Sequence, residues 1–212
     1  MLLVPPRLPP ERAFPAPGTH LCGMAWDGAA LWHSDAETER IYCLDPSSGR
    51  VTREIPCPAV RTDLAHDGTD LWQIAGHPKR IVAIDPRSGR VVQEVPLGEA
   101  SENASGLHVE RDRYWIGWQE EAMIEERDRA SHRVLATYPA LPAIAGLTMR
   151  AGVLWFTDFQ EALLVAVERP SGLELARFQL EGRPTGLCWD GSRFWYSDYS
   201  GRRICAVRLI GD

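Results

Sequence analysis

The feature that most constrains this chain is a tandem repeat. The pair Leu31-Trp32 recurs as Leu71-Trp72, Tyr114-Trp115, Leu154-Trp155 and Phe194-Trp195, at steps of 40, 43, 40 and 40 residues. Upstream of each pair stands a matching element: Gly23-Met24, Asp63-Leu64, Gly106-Leu107, Gly146-Leu147 and Gly186-Leu187. Asp-Gly dipeptides separate the two elements in the best-kept copies, at Asp27-Gly28, Asp67-Gly68 and Asp190-Gly191. Downstream come the turn sequences Asp45 to Gly49 and Asp85 to Gly89, with worn copies at Asp128 to His132 and Glu168 to Gly172. A fixed period of this size marks supersecondary units that bury their apolar faces only by stacking on their neighbours.

Each unit reads as four short strands. Gly-Leu opens the first, and an Asp-Gly turn of the hairpin kind leads to the Leu-Trp strand. A third strand such as Ile81 to Ile84 follows, and an Asp-Pro-x-Ser-Gly turn leads to a fourth such as Val91 to Val95. No segment has a helical period. Four-stranded units repeated every 40 or so residues predict the blades of a β-propeller. The expected fold is all-β: one five-bladed domain over residues 1–212, with blades starting near residues 20, 60, 103, 143 and 183. The fifth repeat stops after its third strand, Ile204 to Leu209, whereas Arg12 to Pro15 matches the fourth-strand endings Ile55-Pro56, Val95-Pro96 and Tyr138-Pro139. The N-terminal strand is therefore expected to complete the last blade and remove its open edge. Five of the eight tryptophans are one repeat position and read as packing between blades.

Composition narrows the partners. The 212 residues carry a formal net charge of −6, the wrong sign for a general nucleic-acid binder. No apolar run approaches the roughly 18 residues of a membrane span. The N-terminal MLLVPPRLPP is too short in apolar residues for a secretory segment. Five cysteines without a CxxC spacing suggest reduced thiols and a cytoplasmic setting. No Gly-x-Ser-x-Gly elbow, P-loop, GxGxxG or HExxH is present, so serine-triad, nucleotide-loop and zincin chemistry have no support.

The repeat pattern Gly-Leu-x-Trp-Asp-Gly-x-x-Leu-Trp-x-Ser-Asp, ending in Asp-Pro-x-Ser-Gly-Arg-Val, resembles streptogramin-lyase-like, NHL-like and lactonase-like propellers. Leu154 to Asp158 is especially similar to that group. A second resemblance, through Tyr114 to Trp118 and Ala145 to Thr148, is to the five-bladed glutamine cyclotransferases. The departures fall at the sites. Ser105 stands where the cyclotransferases have a glutamate, and Thr185 stands where the lactonases have a metal-binding aspartate. The resemblance implies a fold, and no activity carries over residue by residue.

Candidate site residues come from breaks in the repeat. The loops leading into the first strands and those joining second to third strands share one face of the ring. That face is variable, as functional faces on rigid scaffolds are. It also holds the only change of period, within Leu97 to Ser105. Four blades place glycine at the start of the first strand, and the second places Asp63. Two residues further the ring reads Ala25, Ala65, His108, Thr148 and Cys188. The channel mouth is therefore expected to gather Asp63, His108, Cys22 and Cys188. Asp63 and His108 would form an acid–base pair, because each tunes the other's pKa. The alternatives for Asp63 are capping of backbone N–H groups or pairing with Arg61. Trp118 would wall the pocket, and Arg61 or Asn103 would anchor a substrate. No metal and no cofactor is expected. These residues point to a small-molecule enzyme with lyase or cyclotransferase-type chemistry. The competing expectation is a non-catalytic propeller that binds a protein or ligand by its rim.

Overall fold

The computed structural model describes residues 4–98, 101–169 and 171–209. Strand β1 is Arg12–Pro15. The first blade is β2 (Leu21–Trp26), β3 (Leu31–Asp35), β4 (Arg40–Leu44) and β5 (Val51–Pro56). The second is β6 (Val60–His66), β7 (Leu71–Ala75), β8 (Arg80–Ile84) and β9 (Val91–Pro96). The third is β10 (Ala104–Val109), β11 (Arg113–Trp118), β12 (Met123–Asp128) and β13 (Val134–Pro139). The fourth is β14 (Ile144–Arg150), β15 (Val153–Asp158), β16 (Leu163–Glu168) and β17 (Glu174–Gln179). The fifth is β18 (Pro184–Trp189), β19 (Phe194–Asp198) and β20 (Arg203–Val207), with β1 as its outermost strand. All pairings within the five sheets are antiparallel, and the innermost strands touch in a closed ring in which β18 meets β2.

The N-terminal segment spans two blades. Arg12 pairs with Ala206 and Pro15 with Arg203 on β20. Before that, Leu8 donates its N–H to the Gln179 carbonyl at 2.9 Å, and Gln179 donates back to Pro6, also at 2.9 Å, beside the edge of the fourth blade. The insertion before blade three contains a short 3-10 turn, Ser101–Asn103; Glu99 and Ala100 of that segment lie outside the described residues.

The repeat explains the core. Five buried clusters fill the five seams between blades, and each takes one repeated tryptophan: Trp32, Trp72, Trp115, Trp155 and Trp195. Three of these indoles donate to the aspartate of their own turn, Trp32 to Asp27 at 2.7 Å, Trp72 to Asp67 at 2.9 Å and Trp195 to Asp190 at 2.7 Å. The following glycines, Gly28, Gly68 and Gly191, hold φ of +98°, +97° and +97°, a conformation that side chains rarely adopt.

The glycines of the innermost strands serve a different need. A Cβ at Gly23, Gly146 or Gly186 would overlap the backbone of the next blade's inner strand, so the ring closes tightly only without one. Asp63 occupies this position in β6 through a local change of register. Every inner strand bulges near its start, with three residue steps on the inner strand facing two on its partner, as from Leu21 to Met24 against Asp35 to His33. In β6 four steps, Val60 to Leu64, face two, Ala75 to Gln73. Bulges re-aim side chains, and the wider one accommodates a carboxylate where the other blades admit only hydrogen.

Candidate functional site

A cavity of about 320 Å³ opens at the axis on the variable face. Its inner wall takes one small residue from each blade, the one before the ring position: Cys22, Thr62, Ser105, Ala145 and Thr185. Its outer wall comes from residues just after the second strands of blades three, four and five, namely Gln119, Phe159 and Tyr199. His20 and Arg61 stand at its edge, and Asp63 also lines it. A wider cleft of about 610 Å³ lies beneath the N-terminal segment, lined by Pro5, Leu8 and Pro9 among others, away from the axis.

Asp63 is buried, at 1% exposure. Its Oδ2 accepts the backbone N–H groups of Leu107 at 3.0 Å and Leu147 at 2.9 Å. Its Oδ1 has no hydrogen-bond partner. Burial pushes this carboxyl well above the ordinary carboxylate range, against the opposing pull of the N–H groups of Leu107, Leu64, Leu147 and Met24. The backbone-capping alternative thus describes one of its two oxygens.

The polar groups around it have already given their protons to the protein. Cys22 Sγ donates to the carbonyls of His20 and Arg61, both at 3.3 Å. Burial, and after it the charge of Asp35, raise the Cys22 thiol to about 12. Thr62 donates to Ala104 O at 3.3 Å, and Thr185 is within reach of both Ser197 oxygens. Gln119 Nε2 donates to Ser105 Oγ and to Ile144 O. What these side chains offer the cavity is therefore lone pairs. Aromatic edges complete the wall: His20 and Tyr199 meet at 5.3 Å, Phe159 and Tyr199 at 6.0 Å, and the Arg183 guanidinium lies 5.5 Å over Phe159. Arg61 makes one hydrogen bond, from Nε to Gly76 O at 3.1 Å, and its outer end is exposed.

Of the residues singled out in the sequence, Asp63, Arg61 and Cys22 meet here. The others do not. His108 and Cys188 line a separate cavity of about 100 Å³ at the opposite end of the channel, among Met24, Leu64, Leu107, Leu147 and Leu187. Two residues along a strand is about 6.6 Å along the axis, which moves His108 from one mouth to the other. There it tilts against Trp115 with Nε2 3.6 Å from Glu110, so Asp63 and His108 are not an acid–base pair. Trp118 belongs to the core between blades two and three: β11 continues to this residue, and alternation puts it on the side of Tyr114 and Ile116. Asn103 turns its amide to Glu120 and Glu121. Asp35, Asp158 and Asp198, which recur with the repeat, cap loops, accepting from His20 and Thr38, Ala143 and Glu161, and Arg183 and Gly201 respectively. Phe159, Tyr199 and Gln119 were missed. Their signal was available at one repeat position, which reads Ala36, Gly76, Gln119, Phe159, Tyr199.

Among the described residues, no three His, Cys, Asp or Glu side chains group closely enough to hold a metal ion, and no helix is long and apolar enough to cross a membrane. All five cysteines are buried and unpaired.

No protein-family model matches the chain, and no curated protein matches it. Solved structures do. Myxococcus xanthus glutaminyl cyclase is similar with a TM-score of 0.79 at 13% identity, over 97% of this chain and 98% of that one. A catalytically inactive virginiamycin B lyase from Staphylococcus aureus, solved with quinupristin, is similar with a TM-score of 0.55 at 19% identity, over 93% of this chain and 69% of that one. What is shared is the propeller. BamB from Moraxella catarrhalis, at 11% identity and a TM-score of 0.50, has the same kind of likeness.

Proposed function

We propose that the axial cavity binds a small molecule bearing an amine or amide and moves a proton at it, in an elimination or cyclisation. The observation that carries this reading is Asp63, a buried carboxyl with an unpartnered Oδ1 at the wall of a cavity ringed by lone pairs. A ligand that donates hydrogen bonds satisfies Thr62, Thr185 and Gln119, whereas an acceptor ligand leaves them opposed. Arg61 would take a carbonyl or carboxylate at the edge, as a charge-assisted anchor. Asp63, a buried carboxyl with a raised pKa, is suited to give a proton to a leaving nitrogen. The fold it shares with a glutaminyl cyclase and a streptogramin lyase is compatible with either reaction.

The test is turnover. Ammonia release from glutaminyl dipeptides, and elimination from ester- and amide-bearing compounds, are measured for the native chain and for Asp63→Asn. The expected result is activity that falls at least about 100-fold in the variant while ligand still shifts the thermal midpoint. Full activity in Asp63→Asn would sink the assignment. A second reading, a binding scaffold, is favoured by one observation: Val92, Leu135 and Leu175 are 50–56% exposed at matching positions on the outer strands of three successive blades. Absence of turnover with the whole panel, together with capture of a protein lost on Leu135→Asp, would select it.

A further inference from the structure

The innermost strand of each blade has a neighbour on one side only. Its other edge faces the axis, with N–H groups that no strand can satisfy. Equivalent residues follow the ring position in every blade: Met24, Leu64, Leu107, Leu147 and Leu187. The N–H groups of Leu107 and Leu147 end on Asp63 Oδ2, and those of Leu64 and Met24 also favour its charged form. Blades three and four thus each aim a backbone donor at the carboxyl group supplied by blade two. At Gly23, Gly146 and Gly186 a side chain would strike the backbone of the next blade.

We infer that the axis of this propeller is a backbone site for a single small carboxyl group, which the chain fills with the side chain of Asp63. Converging peptide N–H groups are a general device for holding anions. A formate ion has the size and acceptor geometry of the group that Asp63 delivers, and the collar of Met24 and four leucines below the ring excludes anything bulkier from passing. The backbone donors meet Oδ2, and the formate response of a variant that lacks the carboxyl does not depend on any reaction in the cavity above.

Removing the internal carboxylate should create a receptor for an external one. In Asp63→Gly, sodium formate is expected to raise the thermal midpoint by roughly 3 °C at about ten times its dissociation constant. Sodium pivalate, a carboxylate too bulky for the axis, should do nothing beyond its effect on the native chain, and neither salt should act on Asp63→Asn, whose amide still fills the ring. Equal responses of Asp63→Gly and the native chain to formate would overturn the inference, as would equal responses to formate and pivalate. Should Asp63→Gly not fold, its refolding yield from urea is compared in the same two salts. A higher yield in formate alone supports the site, and equal yields refute it.

Discussion

Asp67 stands at the turn between the two inner strands of the second blade, and Asp63, four residues earlier, stands at the axis. Asp67 accepts from the N–H groups of Thr69 and Asp70 at 2.8 Å, from the Trp72 indole and from Arg129. Burial raises its carboxyl, but these donors win and its pKa lies below the ordinary value. Asp27 and Asp190 repeat the arrangement with the same direction of shift. At Asp63 the balance reverses: burial outweighs the N–H groups, and the carboxyl lies well above the ordinary value. One residue type, in one blade, has its charged form favoured at one place and disfavoured at the other. The difference is that a guanidinium and an indole donate to Asp67, whereas only backbone N–H groups donate to Asp63.

The contrast predicts that the rim controls stability and the axis controls binding. The severest break is removal of residues 1–17, which strips β1 from β20 and the Pro6–Leu8 contacts from Gln179. Soluble monomer should be lost, as gel filtration would show; a truncated chain as stable and monomeric as the native one would mean that the seam does not depend on this segment. Next is Trp72→Ala, which empties the seam between blades two and three and leaves Asp67 and Arg129 without their ring. It should cost about 3–5 kcal/mol in urea unfolding, with ligand affinity of the folded protein unchanged.

A subtler pair of variants sets the two aspartates against each other. For Asp67 the folded pKa is lowered. Its stabilisation is complete above the unfolded value near pH 4 and fades as the pH falls through the folded one. The advantage of the native chain over Asp67→Asn should therefore shrink below about pH 4. For Asp63 the folded pKa is raised. The cost of its charge is absent below about pH 4 and grows as the pH rises towards the folded value. The native chain should therefore lose ground to Asp63→Asn on going from acid to neutral pH. Parallel pH profiles for the two variants would erase the distinction. The smallest effect is expected from Arg61→Ala. It should weaken ligand binding about tenfold, the worth of one charge-assisted hydrogen bond, and leave the thermal midpoint in place.

The architecture was legible because it is written five times. A tryptophan at each seam and a glycine at each inner strand are space-filling demands, and sequence reports such demands directly. Asp63 was legible for the same reason, as the one exception. Depth along the axis was not. His108 and Asp63 both face the channel in a two-residue alternation, and only the bulges and the leucine collar decide which mouth each reaches. Trp118 was misplaced because the end of β11 cannot be located from its sequence: one more strand residue turns a loop side chain into a core one. Phe159 and Tyr199 are ordinary loop residues one at a time. They become a wall only when the blades are set side by side.

The seam has a mechanical consequence. Arg12 pairs with Ala206 at the same end of the fifth blade at which the chain leaves β20. Tension applied to the chain before β1 and after β20 therefore pulls along their hydrogen bonds, perpendicular to the strands. The bonds would be loaded one at a time, from Arg12 towards Pro15, and not all together in shear. The weakest point of the ring under force would be the β1–β20 pairing inside the fifth blade, where the first and last strands of the ring meet. Opening there would peel a single four-residue strand while the other four blades stay intact.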